Sequence, residues 1–383
     1  MTTEHTATLL SGVPSINKAV FHAIRFDAHD PASIIVTPHG NRRLVLRDVE
    51  VQRAKKLAKA DEVFCYEDFE PTAGLSGDRE IRAAQATAEC LRRMDITQVT
   101  VDRTASALLI DELEIAGITV VLDRQLGVRD RRSKDADEIA ALRKATEITE
   151  SAIRMACETI AGAKANKKGE LKLGTKILTA EMVKAMITNH LAERDAFGEH
   201  HIVACGSEGG DCHNTGTGVL RTEQPIIVDV FPKHLSSGYH GDCTRMVVHG
   251  DVPDEVARMH LAVSEAKAAG IAVIRAGSTG EDVHRAVVGV IESHGYRMGF
   301  PPEGAPPAYC SMPHGTGHGL GLDLKEPPLL DFKGPELVVG DAVTVEPGLY
   351  SLAVGGMRLE DLLIVTEDGC ENLNTLPEGL NWS

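Results

Sequence analysis

Four apolar, strand-like runs in the C-terminal two thirds of the chain each carry a carboxylate. Asp229 and Glu346 end such runs, Asp242 begins another, and Glu360 lies inside one. Short runs rich in β-branched residues predict buried strands. A buried carboxylate without a partner is costly, so four of them need hydrogen bonds, basic partners or metal ions. Taken singly, each acid is better explained as a strand-end residue that faces solvent, but two acid-bearing hairpins in one region favour a shared site.

A glycine-rich turn, HGTGHGLG at 314–321, adds His318 to these four acids. Four carboxylates and one imidazole can bind two divalent cations, because four negative charges offset four positive ones. Oxygen-rich sites with one nitrogen suit manganese, cobalt or iron, and they also accept zinc. The glycines alternatively suggest a phosphate-binding loop. That interpretation fails because the turn lacks the GK[ST] ending and the strand–turn–helix setting of such loops.

Length and charge narrow the class of protein. A chain of 383 residues predicts two domains. The net charge of −16 repels phosphate backbones, so we expect no nucleic-acid partner. We also expect no membrane partner, because the apolar runs are too short to span a bilayer and the N-terminus shows no secretion signal. The eight scattered cysteines include no CxxC pair and indicate reduced thiols in a cytoplasmic protein.

The first third of the chain alternates strand-like runs with helical patterns. The predicted strands are 34–37, 43–46, 62–65, 98–101 and 118–122, and the predicted helices lie near 49–60, 78–94 and 104–116. This alternation predicts an α/β N-terminal domain over residues 1–133.

The rest of the chain, residues 134–383, predicts an α+β domain with an antiparallel sheet. A long amphipathic helix opens it, a lysine-rich loop is expected at 164–172, and further helices lie near 179–193, 253–275 and 280–294. Ser278 and Glu281 form a predicted capping box for the last of these helices. Adjacent strand-like runs with hairpin-length gaps lie between the helices, including a continuous strand from Met357 to Val365.

Four blocks of this second region together resemble a known family of proteins. They are VDVFPKHLSSGYHGDCTR, HGTGHGLGLDLKEPP, VTVEPGLY and GGMRLEDLLIVTEDG. In this order they are similar to the signature blocks of the creatinase/prolidase/aminopeptidase P metallopeptidases, which have the "pita-bread" fold. The resemblance covers residues 130 to 370. It implies an N-terminal α/β domain followed by a pita-bread catalytic domain, and a homodimer.

The resemblance also implies roles for individual residues. The family's metal positions correspond to five residues of this sequence, which would hold two divalent ions: Asp229, Asp242, His318, Glu346 and Glu360. Glu346 would also act as general base toward a metal-bridging water. His213 matches a histidine that contacts the substrate and the tetrahedral intermediate. One departure is the spacing of thirteen residues between Asp229 and Asp242, about two more than usual, which implies a longer turn.

Within the family, several residues resemble the proline-specific branch. His314 and His318 form an H-x-x-x-H pair, whose first histidine lines the pocket for the proline ring. Tyr350 and Arg358 also fit this branch, in which they support the first aspartate, here Asp229. The alternative for Tyr350 and Arg358 is ordinary strand packing. The expected activity is hydrolysis of Xaa-Pro bonds, as in an Xaa-Pro dipeptidase or aminopeptidase P, in small peptides with proline at the second position.

Lys325 is the main departure from the family pattern. Active members carry histidine before the Glu-x-Pro motif, where this chain reads LKEPP. Three roles are open for Lys325. In the first, it replaces the histidine as a catalytic hydrogen-bond donor. In the second, it binds a substrate carboxylate and shifts the preference toward dipeptides or an acidic substrate. In the third, it points away and leaves the enzyme slow or altered in its reaction. Lysine is longer, more flexible and normally cationic.

Two other functions remain open within the same fold. One is a creatinase-like hydrolase of a non-peptide C–N bond, which we rank lower because creatinase works without the metal ligands kept here. The other is a catalytically weak member that binds partners. Such members usually lose ligands, and the five ligand-type residues count against that function.

Overall fold

The computed structural model describes residues 5–382. The chain forms two compact units, Met1–Arg131 and Arg132–Ser383, whereas the sequence places the boundary between 133 and 134. No helix within the described residues is long and apolar enough to cross a membrane.

The first unit is built on a mixed sheet. Its elements follow in the order β1 (Thr6–Gly12), α1 (Lys18–Ile24), β2 (Ala32–Val36), β3 (Arg42–Leu46), α2 (Asp48–Leu57), β4 (Glu62–Cys65), α3 (Arg79–Arg93), β5 (Gln98–Val101), α4 (Ala107–Ile115) and β6 (Thr119–Leu122). The strand order is β4-β3-β2-β1-β5-β6. β1 pairs antiparallel with β2 and parallel with β5.

Both faces of this sheet are buried at its inner strands, whereas the edge strand β6 is largely exposed. Consecutive residues of a strand point to opposite faces, so Leu9 packs with α3 and α4 while Leu10 packs with α1. In β2, Ile35 belongs to the same core cluster as Leu9, and Ile34 belongs to the same cluster as Leu10. A sheet covered on both sides needs nearly continuous apolar strands, which explains why the short apolar runs predicted these strands correctly.

The sequence did not predict β1 or α1, although β1 lies in the middle of the sheet. β1 reads TATLLSG, with only two large apolar residues, and it is stabilised by pairing with strands on both sides. α1 did offer a local signal. The Asn17 side chain accepts hydrogen bonds from the N–H groups of Ala19 and Val20, as expected of an N-cap.

The second unit begins within α5 (Arg129–Arg132) and continues with four longer helices and several sheets. The helices are α6 (Ala136–Ala161), α7 (Ala180–Ala192), α8 (Asp254–Val273) and α9 (Gly280–Ser293). The strands before α8 are β7 (Lys164–Ala165), β8 (Leu171–Leu173), β9 (Lys176–Ile177), β10 (Ala196–Phe197), β11 (Ile202–Cys205), β12 (Pro225–Val230), β13 (Lys233–His234) and β14 (Cys243–Val248).

The remaining strands follow α9. They are β15 (Arg297–Met298), β16 (Ser311–Met312), β17 (Gly317–Gly319), β18 (Glu326–Leu330), β19 (Ala342–Val345), β20 (Gly348–Ser351), β21 (Gly355–Arg358), β22 (Asp361–Val365) and β23 (Cys370–Asn372). The three main sheets have the orders β11-β12-β14, β15-β16-β20-β21 and β18-β17-β19-β22-β23. Within the described residues, every strand pairing of this unit except β15 with β16 is antiparallel, so the predicted α+β class is confirmed.

Helices cover these sheets and form the core. α6 and α7 pack on β11, β12 and β14, where Ile153, Ile187, Val228 and Val247 are fully buried. α8 and α9 pack against each other and on the other two sheets. The predicted helices 179–193, 253–275 and 280–294 match α7, α8 and α9 within two residues at each end.

Three local predictions were wrong. The lysine-rich stretch 164–172, predicted as a loop, contains β7 and the start of β8. These short strands pair with each other, and the residues of β7 remain exposed. The N-cap of α9 is Thr279, whose hydroxyl accepts from the N–H of Asp282; Ser278 instead donates its hydroxyl to the carbonyl of Arg275 at 2.7 Å. The expected strand from Met357 to Val365 is two strands, β21 and β22, which belong to different sheets.

A buried ionic network anchors the start of β22. Asp361 accepts from Arg245 Nη2 at 2.7 Å and from Lys267 Nζ at 2.6 Å. The Arg245 and Lys267 side chains are 1% and 2% exposed. Arg245 Nη1 also donates to the Glu360 carbonyl at 2.6 Å, which ties the network to the point where the chain changes sheet.

We predict that Asp361→Asn destabilises the second unit by about 3–5 kcal/mol, because it leaves the buried Arg245 without a carboxylate partner and leaves Lys267 with Glu378 alone. Urea unfolding followed by circular dichroism measures the change. Arg154→Ala is the control, since Arg154 pairs with Glu158 on an exposed helix face and should change stability by less than about 1 kcal/mol. Equal unfolding midpoints for wild type and Asp361→Asn would show that the network does not stabilise the unit.

Candidate metal centre

Three sheets bring the five predicted ligands to one place. Asp229 lies in β12 and Asp242 directly precedes β14, the strand paired with β12. His318 is the middle residue of β17. Glu346 directly follows β19, and Glu360 lies between β21 and β22. The five side chains therefore come from strand ends and strand junctions, where the backbone can turn a side chain out of the sheet.

Glu346 and Glu360 occupy equivalent positions in the fold. The chain passes from the five-stranded to the four-stranded sheet after β19, and it returns between β21 and β22. Val345 pairs with Asp361 before the crossing, and Gly348 pairs with Arg358 after it. The two glutamates thus lie opposite each other where the two sheets diverge.

His318 lies among the acids. One oxygen or nitrogen each of Asp242, His318 and Glu360 lie within 4.8 Å of one another. His318 Nε2 is 3.3 Å from Glu346 Oε1 and 3.8 Å from Asp242 Oδ2. His318 Nδ1 is 3.0 Å from the carbonyl of Gly319. Because a carbonyl only accepts, Nδ1 carries the proton, and Nε2 presents a lone pair toward the acids.

Only one of the two carboxylate oxygens of Asp229 has a basic partner in the described part of the chain. Arg358 Nη2 donates to Asp229 Oδ2 at 2.5 Å, and Arg358 Nη1 donates to the Tyr350 hydroxyl at 2.8 Å. Asp229 Oδ1 is buried and has no hydrogen-bond partner among residues 5–382. An orphaned buried carboxylate oxygen is costly and is a natural position for a cation.

The cluster is electrostatically strained without a cation. Burial raises the pKa of Asp229. Burial, followed by the charges of Asp229 and Glu346, raises the pKa of Asp242 well above its usual value. Burial and then the charges of Asp242 and Glu346 do the same for Glu360. Like charges this close in a dry site disfavour ionisation, and divalent cations would reverse that preference.

The donor set therefore fits two divalent cations. Four carboxylates and one imidazole nitrogen are available, one carboxylate oxygen is orphaned, and the acids repel one another. Within the described residues, the cluster of Asp242, His318 and Glu360 is the one group that satisfies the geometry of a single metal site. Asp229 and Glu346 lie beside it and complete the set.

A cavity of about 360 Å³ opens onto the cluster. All five candidate ligands line it, together with His213, His314, Lys325 and Arg358. Its apolar wall comes from Ile202, Phe231, Leu324 and Leu329. The cavity thus combines an acidic floor with an apolar wall, as small-molecule sites commonly do.

The two further histidines differ in their surroundings. His213 is exposed and follows a 3₁₀ helix at Gly206–Gly210, and its backbone N–H donates to Asp211. His314 is half-buried, and burial lowers its pKa. Its Nε2 lies 2.9 Å from the Tyr350 hydroxyl and its Nδ1 lies 2.8 Å from the carbonyl of Gly315.

Sequence reasoning missed two hydroxyls that orient the acids. Thr244 Oγ1 donates to Glu360 Oε2 at 2.7 Å. The Thr344 hydroxyl accepts from the His318 N–H at 3.1 Å and lies 3.3 Å from Glu346 Oε1. Thr244 and Thr344 each stand two residues from a candidate ligand, so the two-residue period of a strand could have indicated that they share its face.

Comparisons with known proteins agree with this architecture. Residues 140–367 match the model of metallopeptidase family M24. The chain belongs to this family. The relative named "Probable dipeptidase PepE" from Mycobacterium tuberculosis is 30% identical over 267 residues, covering 69% of this chain and 64% of the relative. The Xaa-Pro dipeptidase of Pyrococcus furiosus is 27% identical over 241 residues, covering 63% of this chain and 62% of the relative.

The M24 fold extends over nearly the whole chain. The crystal structure of an X-Pro aminopeptidase from Thermotoga maritima has a TM-score of 0.78 at 23% identity and covers 98% of this chain and 96% of its own. The pita-bread fold expected from the sequence is thereby confirmed. In sequence, the alignment spans less than two thirds of the curated relatives, 64% of the M. tuberculosis protein.

We predict that Asp242→Asn stabilises the metal-free protein, by about 0.5–2 kcal/mol, because it removes one of several repelling buried charges. Thermal unfolding in the presence of a chelator measures the change in Tm. Asp251→Asn makes the same charge change at an exposed position and should leave Tm unaltered. A lower Tm for Asp242→Asn than for Asp251→Asn would contradict the inferred repulsion.

Proposed function

We propose that this M24 protein is a hydrolase that cleaves Xaa-Pro peptide bonds with two bound divalent metal ions. The proposal rests on one observation: all five ligand-type side chains line a single cavity beside the two histidines His213 and His314. The names of the relatives from P. furiosus and T. maritima, an Xaa-Pro dipeptidase and an X-Pro aminopeptidase, support the substrate class.

Asp229, Asp242, His318, Glu346 and Glu360 would hold the metals. Their oxygen-rich set favours manganese, cobalt or iron and admits zinc. When bound, the two ions would polarise the scissile carbonyl and increase the acidity of water. Arg358 and Thr244 keep Asp229 and Glu360 oriented for this task.

Glu346 is the best-placed general base. Its side chain is 20% exposed, against 9% for Asp229 and 7% for Asp242. A water molecule in the cavity can therefore reach its carboxylate. Glu346 would take a proton from the attacking water at a carboxylate oxygen and deliver it to the proline nitrogen as the peptide bond breaks.

The two histidines would bind the substrate in different ways. Both ring nitrogens of His314 already have partners, in Tyr350 and Gly315. His314 therefore offers the face of its ring, which suits contact with a proline ring. His213 is exposed, lines the cavity and can donate to the carbonyl oxygen as negative charge develops there.

We infer that the protein acts on small peptides in a reducing compartment such as the cytoplasm. All eight cysteines are free thiols, which supports this compartment. The family resemblance supports a homodimer in which residues 1–133 form the N-terminal domain and residues 134–383 the catalytic domain.

The substrate class is tested by a screen with added metals. We expect two divalent ions per chain by elemental analysis. We also expect proline release from Xaa-Pro dipeptides in the presence of manganese, cobalt or iron, and loss of activity with a chelator. Longer Xaa-Pro peptides and creatine-like compounds belong in the same screen. Turnover of a creatine-like compound alone would favour the non-peptide hydrolase, and no turnover with any metal would contradict the proposal.

Glu346→Gln tests the general base. We expect kcat to fall by about 10²–10⁴-fold, because glutamine cannot accept the proton. Metal content must be measured in parallel, since Glu346 is also a proposed ligand. Glu367→Gln is the control, because Glu367 is exposed on the turn after β22. A Glu346→Gln variant that keeps both metals and loses less than about ten-fold in kcat would exclude this role.

A further inference from the structure

One face of the segment around β18 forms part of the cavity wall. Leu329 and Asp331 line the cavity, whereas Leu330 between them is fully buried. This is the two-residue alternation of a strand. Leu324 and Lys325 lie in the bend directly before β18, and both also line the cavity.

A buried ion pair fixes the position of Glu326, the first residue of β18. Its Oε1 accepts from Lys134 Nζ at 2.5 Å, and both side chains are nearly inaccessible, at 4% and 2% exposed. Gly321 leaves the room that Glu326 needs, since a Cβ on Gly321 would lie 2.5 Å from Glu326 Oε1. The buried pair fixes the position of Glu326, and Lys325, directly before it in the chain, lies at the cavity wall.

Lys325 is the uncommitted cation of the cavity. Of the two arginine and lysine residues in the lining, Arg358 pairs with Asp229. Lys325 forms no ion pair or hydrogen bond with any residue of the described part of the chain. Asp331, the acid at the other end of this segment, forms no ion pair with Lys325, and its Oδ1 lies 3.5 Å from His284 Nε2.

We propose that Lys325 binds the C-terminal carboxylate of the substrate, so that the protein prefers free Xaa-Pro dipeptides to longer Xaa-Pro peptides. This inference rests on the proposed function. In an Xaa-Pro dipeptide the carboxylate carbon lies two covalent bonds, about 2.5 Å, from the nitrogen of the scissile bond. The carboxylate must therefore lie in the same cavity as the reacting bond, and Lys325 lines that cavity.

The position of Lys325 favours this role over that of a catalytic donor. A donor to the scissile carbonyl must lie among the groups that surround the reacting atoms. Lys325 is exposed and forms no ion pair with the four acids, although its charge partly offsets the rise in the pKa of Asp242. With two divalent ions bound, the four acids would be neutralised, which would leave the ammonium free to attract a carboxylate. The net charge of −16 otherwise disfavours anionic ligands, so a local cation is needed to bind one.

The kinetic test compares a dipeptide with its amide. Wild-type protein, loaded with metal, should hydrolyse Ala-Pro with a KM about 10- to 100-fold lower than that for Ala-Pro amide, the range expected of a charge-assisted hydrogen bond. Lys325→Met should abolish this difference by raising the KM for Ala-Pro alone, and Lys325→Arg should restore most of it. Lys333→Met is the control, because Lys333 carries the same charge outside the cavity lining.

Two results would overturn the role of Lys325. One is an equal loss of kcat for Ala-Pro and its amide in Lys325→Met, which would make Lys325 a catalytic donor. The other is an unchanged preference for Ala-Pro in that variant. Faster turnover of tripeptides than of dipeptides by the wild type would likewise contradict the carboxylate site.

A binding measurement separates this inference from the proposed function. The reduced-bond analogue of Ala-Pro, which cannot be hydrolysed, and its C-terminal amide are titrated calorimetrically into wild type and Lys325→Met. In one outcome, the analogue with a free carboxylate binds more tightly than its amide to the wild type but not to Lys325→Met. That result, without turnover of Ala-Pro, would support the carboxylate site and contradict the proposed peptidase function. Turnover with equal affinity for acid and amide would support the peptidase and overturn the carboxylate site.

Discussion

Mutual repulsion among buried carboxylates is the physical constraint on which the arrangement of the cavity in the second unit depends. Asp229, Asp242 and Glu360 are buried and lie beside Glu346 in one cavity. Protein interiors do not hold such groups together without compensation. Here compensation is partial: Arg358 neutralises one side of Asp229, hydroxyl groups orient the glutamates, and the remaining negative charge is left to cations. The site is thus built for function at a cost in stability.

Two adjacent acids show how the fold divides this charge. Glu360 faces the cavity, where its negative charge is uncompensated, while Asp361 faces the opposite side and is paired with Arg245 and Lys267. Arg245 also donates to the Glu360 carbonyl, so the network around Asp361 fixes the backbone of the neighbouring candidate ligand. Rigid support of this kind would keep the proposed ligands in place when a metal binds or leaves.

Sheet crossings supply the geometry that a single sheet cannot. Glu346 and Glu360 lie where paired strands pass together from one sheet to the next, and the divergence opens the space that they line. The same crossings bring Tyr350 and Arg358, on neighbouring strands, behind Asp229 and His314. A local change in strand pairing therefore arranges both the candidate ligands and the groups that support them.

Much of the fold was predictable because its signals are local. Apolar runs marked β2 to β6 and the strands that carry the acids, and helical patterns marked α7 to α9. β1 escaped notice because its stability comes from two neighbouring strands, not from its own composition. The break at Leu359 and Glu360 was missed because MRLEDLLIV is continuously strand-like, and only the two competing sheets divide it.

The sequence alone determined the family, the class of fold and the identity of the candidate ligands, because residue type and order along the chain are enough to recognise them. Tertiary structure decided which partners each side chain meets. It left Asp229 Oδ1 without a partner, gave both ring nitrogens of His314 a neighbour and turned Lys325 into the cavity. Most of these outcomes depend on contacts between residues far apart in the chain, such as Arg358 with Asp229 and Lys134 with Glu326, which no local pattern encodes.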